Sequence, residues 1–306
     1  KKELKIPVVT VGSLNMEMAE QIIAQGKADM VAMIRAFIAE PDLVNKARRN
    51  EGDTIRPCIR CTVCNTKMPH VYCLPVRCAV NPLAGHKSRI RDVGKAEQKK
   101  KVVIIGGGPA GMTAAQTAAK RGHEVVLFEQ SGKLGGRLYE ASSMKCKDYF
   151  RRYLDWTIRE TLRCGARIEL GTEATPEIIR KEKPDALIVA VGAEHIFPAI
   201  PGIESPHVIN ISEADLRQKP IGQNVVIVGG GLSGTECAID LAQEGHSVTL
   251  VDKLAEDQLL TEVMNSISGS LRSLMQENNI ATFYNAQVSK ITPNSLVLVL
   301  HDGTVK

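Results

Sequence analysis

The sequence predicts an α/β protein of several domains, and three observations carry that prediction. First, residues 1–50 alternate apolar strands with amphipathic helices over short links, the unit of a parallel sheet or a (β/α) barrel. Second, residues 102–130, VVIIGGGPAGMTAAQTAAKRGHEVVLFEQ, align with residues 225–253, VVIVGGGLSGTECAIDLAQEGHSVTLVDK. Each copy reads strand, glycine turn, small-residue helix, Gly-His, strand, acid, and two in register are not a product of chance. Third, at 306 residues the chain is too long for one small core.

Taken in order, IPVVTVGSL (6–14) predicts a buried strand ending in Gly-Ser. MEMAEQIIAQ (16–25) predicts an amphipathic helix with Asn15 as N-cap and Gly26 as its stop. ADMVAMIRAF (28–37) predicts a second buried strand, and DLVNKARR (42–49) a helix after Pro41. Residues 56–82, RPCIRCTVCNTKMPHVYCLPVRCAVNP, lack regular periodicity. Strands at 101–105 and 224–228 open the two glycine-rich copies, and LVLVLHDGTVK at the end reads as strand, turn and new strand. Position 1 is Lys, and both ends read as cuts through a domain.

Composition narrows the classes. The net charge of +5 is spread without a basic stripe, which leaves no footprint for nucleic acid. The run KAEQKKK (95–101) reads as a solvated linker. No signal peptide opens the chain and no apolar run is long enough for a bilayer, so the expectation is a cytoplasmic protein without a membrane partner. In that compartment clustered cysteines bind metals more often than they form disulfides. Cys146, Cys164 and Cys237 are scattered and read as small apolar residues.

Gly106, Gly108 and Gly111 satisfy G-x-G-x-x-G between a strand and a helix, with Ala110 inside the motif. The first glycine permits the turn, the second admits a pyrophosphate, and the third lets helix and sheet meet closely. N–H groups at the helix start receive the phosphate charge. Glu129, followed by Gln130, ends the next strand, where an acid accepts hydrogen bonds from ribose hydroxyls. The second copy uses Gly229, Gly231 and Gly234, with Asp252 at the strand end. An acid there suits a free 2′-OH and repels a 2′-phosphate, so NADH is favoured over NADPH, although Lys253 softens the repulsion. Glu236, in the first helical turn, reads equally as a nicotinamide contact or as a favourable charge at a helix start.

GGGPAG followed by LGGRL (134–138), DALIVAVGA (185–193) and GGGLSGTE resembles the two-dinucleotide flavoprotein disulfide reductase family. The resemblance implies FAD at the first copy and the nicotinamide nucleotide at the second, in two Rossmann-like domains. It also lays Gly135, Gly136 and Arg137 along the FAD, with Ala190 to Gly192 as the return of the chain to it. This sequence has AVG where many members have ATG. No redox-active C-x-x-C or C-x4-C follows the first copy, so disulfide chemistry is not expected.

Cys58, Cys61 and Cys64 read C-x2-C-x2-C, a spacing that presents three thiolates to three irons of a cubane, and Cys73 and Cys78 compete as the fourth ligand. Tetrahedral zinc is the main alternative, though it more often shows two C-x2-C pairs. A neighbouring flavin needs a one-electron partner, which zinc cannot be, so a 4Fe-4S cluster outweighs zinc.

The order of barrel-like end, cysteines and two dinucleotide motifs resembles the iron–sulfur branch of the old yellow enzyme family. That branch includes 2,4-dienoyl-CoA reductase, 2-enoate reductase and trimethylamine dehydrogenase. Its pattern ends in a cysteine followed by x-x-Asn-Pro; Cys78-Ala-Val-Asn81-Pro82 matches, which promotes Cys78 and leaves Cys73 spare. The spacing before Cys64 is x2 where the family has x3. The resemblance further implies that residues 1–55 are the last two βα units of a (β/α)8 FMN barrel. Gly12 and Ser13 then meet the FMN phosphate after one strand, and Ile34 and Arg35 after the next, with Ile34 where a smaller residue is usual. Residues 56–98 become the cluster segment, 99–220 the FAD domain and 221–306 the NAD(P)H domain.

The activity so implied passes electrons from NADH through FAD, the cluster and FMN to a small unsaturated substrate whose C=C bond is conjugated to a carbonyl or carboxylate. Catalytic residues belong to earlier barrel strands, and none is assigned here. An amine dehydrogenase, a non-catalytic electron-transfer subunit and a structural zinc protein are the alternatives, and a homo-oligomer is left open.

Overall fold

Strands β1 (Val9–Val11) and β2 (Met30–Ala32) pair in parallel, with Val9 opposite Met30, and helix α1 (Met16–Ala24) joins them. The Asn15 side chain accepts the Met18 N–H at 2.9 Å, and Gly26 at φ 63° follows the helix end. Ala19, Met33 and Leu43 form the small core beneath. Two expectations are corrected here. The strands are not buried: Val9, Val11 and Met30 are 53%, 66% and 53% exposed. A ladder of two strands has cover only on the side where α1 lies. The predicted strand 28–37 also splits, extended over Met30–Ala32 and helical as α2 (Ile34–Ala39). β1 supplies partners for three residues only, and beyond them an apolar run with no clear period folds as a helix.

The computed structural model describes residues 1–66, 75–86 and 94–306. They divide into two compact units, Lys1–Ser142 with Lys147–Gly192, and Ser143–Cys146 with Ala193–Lys306. In the first, α3 (Leu43–Arg48) leads through a 3-10 turn at Gly52–Thr54 to the cysteine loop and a short α4 (Val63–Thr66). Buried Glu40 organises the passage, accepting from Lys46 Nζ at 2.7 Å and from the Arg56 N–H at 3.4 Å. The Lys46 ammonium also donates to the Thr54 carbonyl at 2.9 Å.

Four parallel strands follow in the order β5-β4-β3-β6: β3 (Lys101–Ile105), β4 (Glu124–Glu129), β5 (Arg167–Leu170) and β6 (Ala186–Val189). The middles of β3 and β4 are continuous apolar runs, as expected for strands covered on both faces. Helices α5 (Pro109–Lys120) and α6 (Asp148–Arg163) lie together, tied by Gln116 Nε2 donating to Thr161 Oγ1 at 2.9 Å and to the Thr157 carbonyl at 3.1 Å. Both threonines are buried, so the amide answers groups that water cannot reach.

The second unit has the parallel order β7-β8-β9, from β7 (Asn224–Val228), β8 (Ser247–Val251) and β9 (Ala281–Phe283). Helices α7 (Leu232–Gln243) and α8 (Asn265–Glu277) contribute to its core with Ile239, Leu241, Leu271 and Met275. β10 (Ala286–Ile291) and β11 (Leu296–Leu300) form an antiparallel pair, and Val305 bridges back to Val299, the strand, turn and new strand expected at the end. Among the described residues no helix is long and apolar enough to cross a membrane. Cys237 is buried and Cys164 half-buried, but Cys146 is exposed, contrary to its apolar reading, on a turn just before α6.

Candidate functional site

The cysteine loop is anchored before it is functional. Trp156 and Tyr153 of α6 stack at 5.8 Å between centroids and bury against Ile59, Val80 and Ala39, with Cys58, Cys61 and Cys78 packed on this cluster. Trp156 Nε1 donates to the Thr54 carbonyl at 3.0 Å, and the Arg56 guanidinium lies 5.1 Å above its ring. Behind Cys78, buried Asn81 donates to the Ile38 carbonyl at 2.8 Å and accepts the Leu83 N–H at 3.1 Å. The Asn-Pro step after Cys78 thereby fastens the loop to α2.

Cys58, Cys61, Cys64 and Cys78 share one neighbourhood. Burial pushes the Cys61 and Cys64 thiols up, and negative charge on the other three would raise Cys64 further. At Cys61 the N–H groups of Val63 and Ala79 work the other way, while Cys78 and Cys58 raise it. Among the described residues no three His, Cys, Asp or Glu side chains gather closely enough to hold a single metal ion. Cys73 lies outside the described residues.

Gly12, Ser13, Ile34 and Arg35 line one cleft of about 500 Å³, and Cys64 lines the same cleft. Gly12 and Ser13 both have positive φ, 136° and 54°, so the chain turns sharply off β1. Ile34 and Arg35 begin α2, whose first N–H groups carry no side-chain cap.

The first glycine turn is built by close approaches. A Cβ on Gly106 would meet the Ala190 carbonyl oxygen at 2.3 Å, and one on Gly111 the Gly106 oxygen at 1.8 Å. On Gly108 it would meet nothing within 4 Å, which is the open space a phosphate needs. Glu129 holds the turn, its two oxygens accepting the N–H groups of Gly107 at 2.6 Å and Ser131 at 2.7 Å. The Gly135 N–H donates to the Gly107 carbonyl at 2.9 Å, which brings the LGGRL segment onto the turn. Gly136, Arg137, Ala110 and Gln130 are exposed around it. The second turn repeats the design: a Cβ on Gly234 would meet the Gly229 oxygen at 1.9 Å, while Gly231 faces open space. Asp252 accepts from Gly230 at 2.6 Å and Leu254 at 2.7 Å. Glu236 is half-buried in the first turns of α7.

Sequence reasoning passed over Arg60 and Tyr149. The Arg60 guanidinium donates to the Ser13 carbonyl at 2.9 Å and to the Tyr149 hydroxyl, and lies 3.5 Å from the centre of that ring. The available signal was an arginine wedged between two paired cysteines.

Two family models match the chain: pyridine nucleotide-disulphide oxidoreductase over residues 100–306 and NADH:flavin oxidoreductase / NADH oxidase over residues 1–53. NADH oxidase of Thermoanaerobacter brockii is 41% identical, over 99% of this chain and 47% of that protein. Bilirubin reductase of Mediterraneibacter gnavus is 35% identical, over 100% of this chain and 47% of the relative. The chain thus spans about half the length of the curated relatives it matches. Among solved structures, a 2-naphthoyl-CoA reductase complex matches with a TM-score of 0.90 at 26% identity, over 100% of this chain and 46% of that one. 6-Hydroxypseudooxynicotine amine oxidase of Pseudomonas geniculata N1 matches with a TM-score of 0.87 at 27% identity, over 100% of this chain and 48% of that one.

Proposed function

Because the chain belongs to the pyridine nucleotide-disulphide oxidoreductase family and, with its barrel end, to the iron–sulfur branch of the old yellow enzyme family, we propose that it forms part of an NADH-dependent ene-reductase. Its substrate is a small molecule with an activated C=C bond, of the 2-enoate or enoyl-CoA class. One observation carries this reading: Gly12, Ser13, Ile34 and Arg35, which the family resemblance assigns to a flavin phosphate, share a single cleft with Cys64, which it assigns to a cluster.

Cys58, Cys61, Cys64 and Cys78 would hold the 4Fe-4S cluster, Gly12, Ser13, Ile34 and Arg35 the FMN. Gly106, Gly108 and Gly111 with Glu129 would hold FAD, and Gly229, Gly231 and Gly234 with Asp252 the NADH. Together these groups supply what side chains lack, the conversion of a hydride into single electrons and back into a hydride. The chain contributes binding and placement. The uncapped N–H groups at the starts of α5 and α7 meet pyrophosphate charge. Glu129 and Asp252 stiffen their turns and keep lone pairs for ribose hydroxyls. Asp252 also places a negative charge where a 2′-phosphate would sit.

The reductase names of the bilirubin and 2-naphthoyl-CoA enzymes support a conjugated electron acceptor. The amine oxidase of similar fold favours a second reading, amine oxidation with electrons leaving for an external carrier. The intact Gly230–Asp252 turn favours the first, since that route has little use for a nicotinamide site. Anaerobic mixing of the holoenzyme with NADH tests the choice. Bleached flavin absorption, followed by saturation of an alkenoic acid or acyl-CoA, is expected. Flavin that stays oxidised with NADH but bleaches with an amine moves the assignment to the second reading, and zinc without iron or acid-labile sulfide overturns the cluster.

A further inference from the structure

Arg60 stands between Cys58 and Cys61 at φ 56°, a left-handed conformation that glycine adopts freely and a residue with a Cβ does not. The turn aims the Arg60 N–H at Cys58 Sγ, 3.4 Å away. Glycine would supply that N–H with less strain, so the side chain must account for the residue. Its guanidinium donates to the carbonyl of Ser13, in the turn after β1, and to the hydroxyl of Tyr149, in the first turn of α6, while covering the Tyr149 ring. One side chain thereby joins three elements: the turn matched to the FMN phosphate, the cysteine loop, and the helix that buries the loop.

Arg60 and Cys58 also line one cleft, and we propose that Arg60 is a positioning residue that clamps the cysteine loop to the Ser13 turn and keeps a positive charge in that cleft, raising the reduction potential of the cluster. The proposal rests on the reading that Cys58, Cys61, Cys64 and Cys78 hold a 4Fe-4S cluster. Reduction by a flavin adds one electron and therefore one negative charge to such a cluster, with no thiolate bond broken. A fixed cation nearby favours the charged product, as do N–H groups aimed at the sulfurs.

The test is a redox titration of the cluster, followed by electron paramagnetic resonance, on wild-type holoenzyme and on Arg60→Gln, Arg60→Lys and Arg60→Gly, with iron, sulfide and FMN measured in each. Arg60→Gln keeps its iron and shows a several-fold lower reduced-to-oxidised ratio at fixed potential, a tenfold change being 59 mV for a one-electron couple. Arg60→Lys recovers most of that ratio, and Arg60→Gly, which relieves the backbone, falls as Arg60→Gln does. A ratio within twofold of wild type in an iron-replete Arg60→Gln protein overturns the proposal. If Arg60→Gln loses its iron, retention by Arg60→Lys but not by Arg60→Gly supports the clamp, and any other pattern overturns it. Wild-type holoenzyme without iron and sulfide defeats the parent reading before any substitution is made.

Discussion

Glu129 and Asp252 occupy the same place in two copies of one motif, and each spends its two oxygens in the same way. One oxygen takes the N–H of the middle glycine, the other the N–H two residues beyond the acid. Each carboxylate is therefore fixed before any ligand arrives. Asp252→Asn removes the negative charge and replaces one acceptor with a donor. It should narrow the preference for NADH over NADPH by roughly tenfold, chiefly through better use of NADPH, in anaerobic flavin-reduction rates. An unchanged ratio would assign discrimination to another residue. The cysteines are the other residue-scale test: Cys73→Ala should leave the cluster's visible absorption intact and Cys78→Ala should abolish it. The two acids that hold the glycine turns were legible because spacing within one short segment defines them. Arg60 was not, since its partners Ser13 and Tyr149 lie 47 and 89 residues away.

At the scale of elements, the glycine turns, the Asn15 cap and the final hairpin were readable because each follows from local backbone demands. The split of residues 28–37 into β2 and α2 was not, because a short apolar run carries no period and the length of β1 decided where pairing stopped. The role of α6 was equally hidden, because what a helix covers depends on residues far away in the chain. Trp156 is 5% exposed and fills the space between α6 and the cysteine loop. Trp156→Ala should cost about 3–5 kcal/mol by urea unfolding and quicken loss of iron to a chelator. Trp156→Phe should cost only about 1 kcal/mol, for the bond to Thr54. On the sheet, Glu182 meets Arg167 and Lys101, whose cations hold its carboxyl below the usual carboxylate range. A depressed folded-state value contributes stability that is complete above the unfolded value and is lost as pH falls through the folded one. Wild type should therefore lose more stability than Glu182→Gln between about pH 5 and about pH 3.

For the whole molecule, the proposed reading raises the question of why a cluster would stand among nucleotide sites at all. Gly12, Arg35 and Cys64 line one cleft, and on the proposed reading FMN sits there while FAD sits on the Gly106–Gly111 turn. Hydride transfer needs reacting atoms about 3–3.5 Å apart, a condition that two flavins held apart would not meet. Single electrons do not need contact, which gives the cysteine loop a purpose that a structural metal would not have. The consequence separates the two roles. In a holoenzyme carrying Cys58→Ser with Cys61→Ser, the NADH and FAD residues are untouched, so NADH should still bleach flavin at the wild-type rate, with roughly half the wild-type amplitude. Saturation of the alkene should fall by at least about a hundredfold, and adding dithionite to reduce both flavins directly should restore a single turnover. Full bleaching by NADH in that variant would mean that the two flavins communicate without the cluster, and the cysteines would then revert to a structural role.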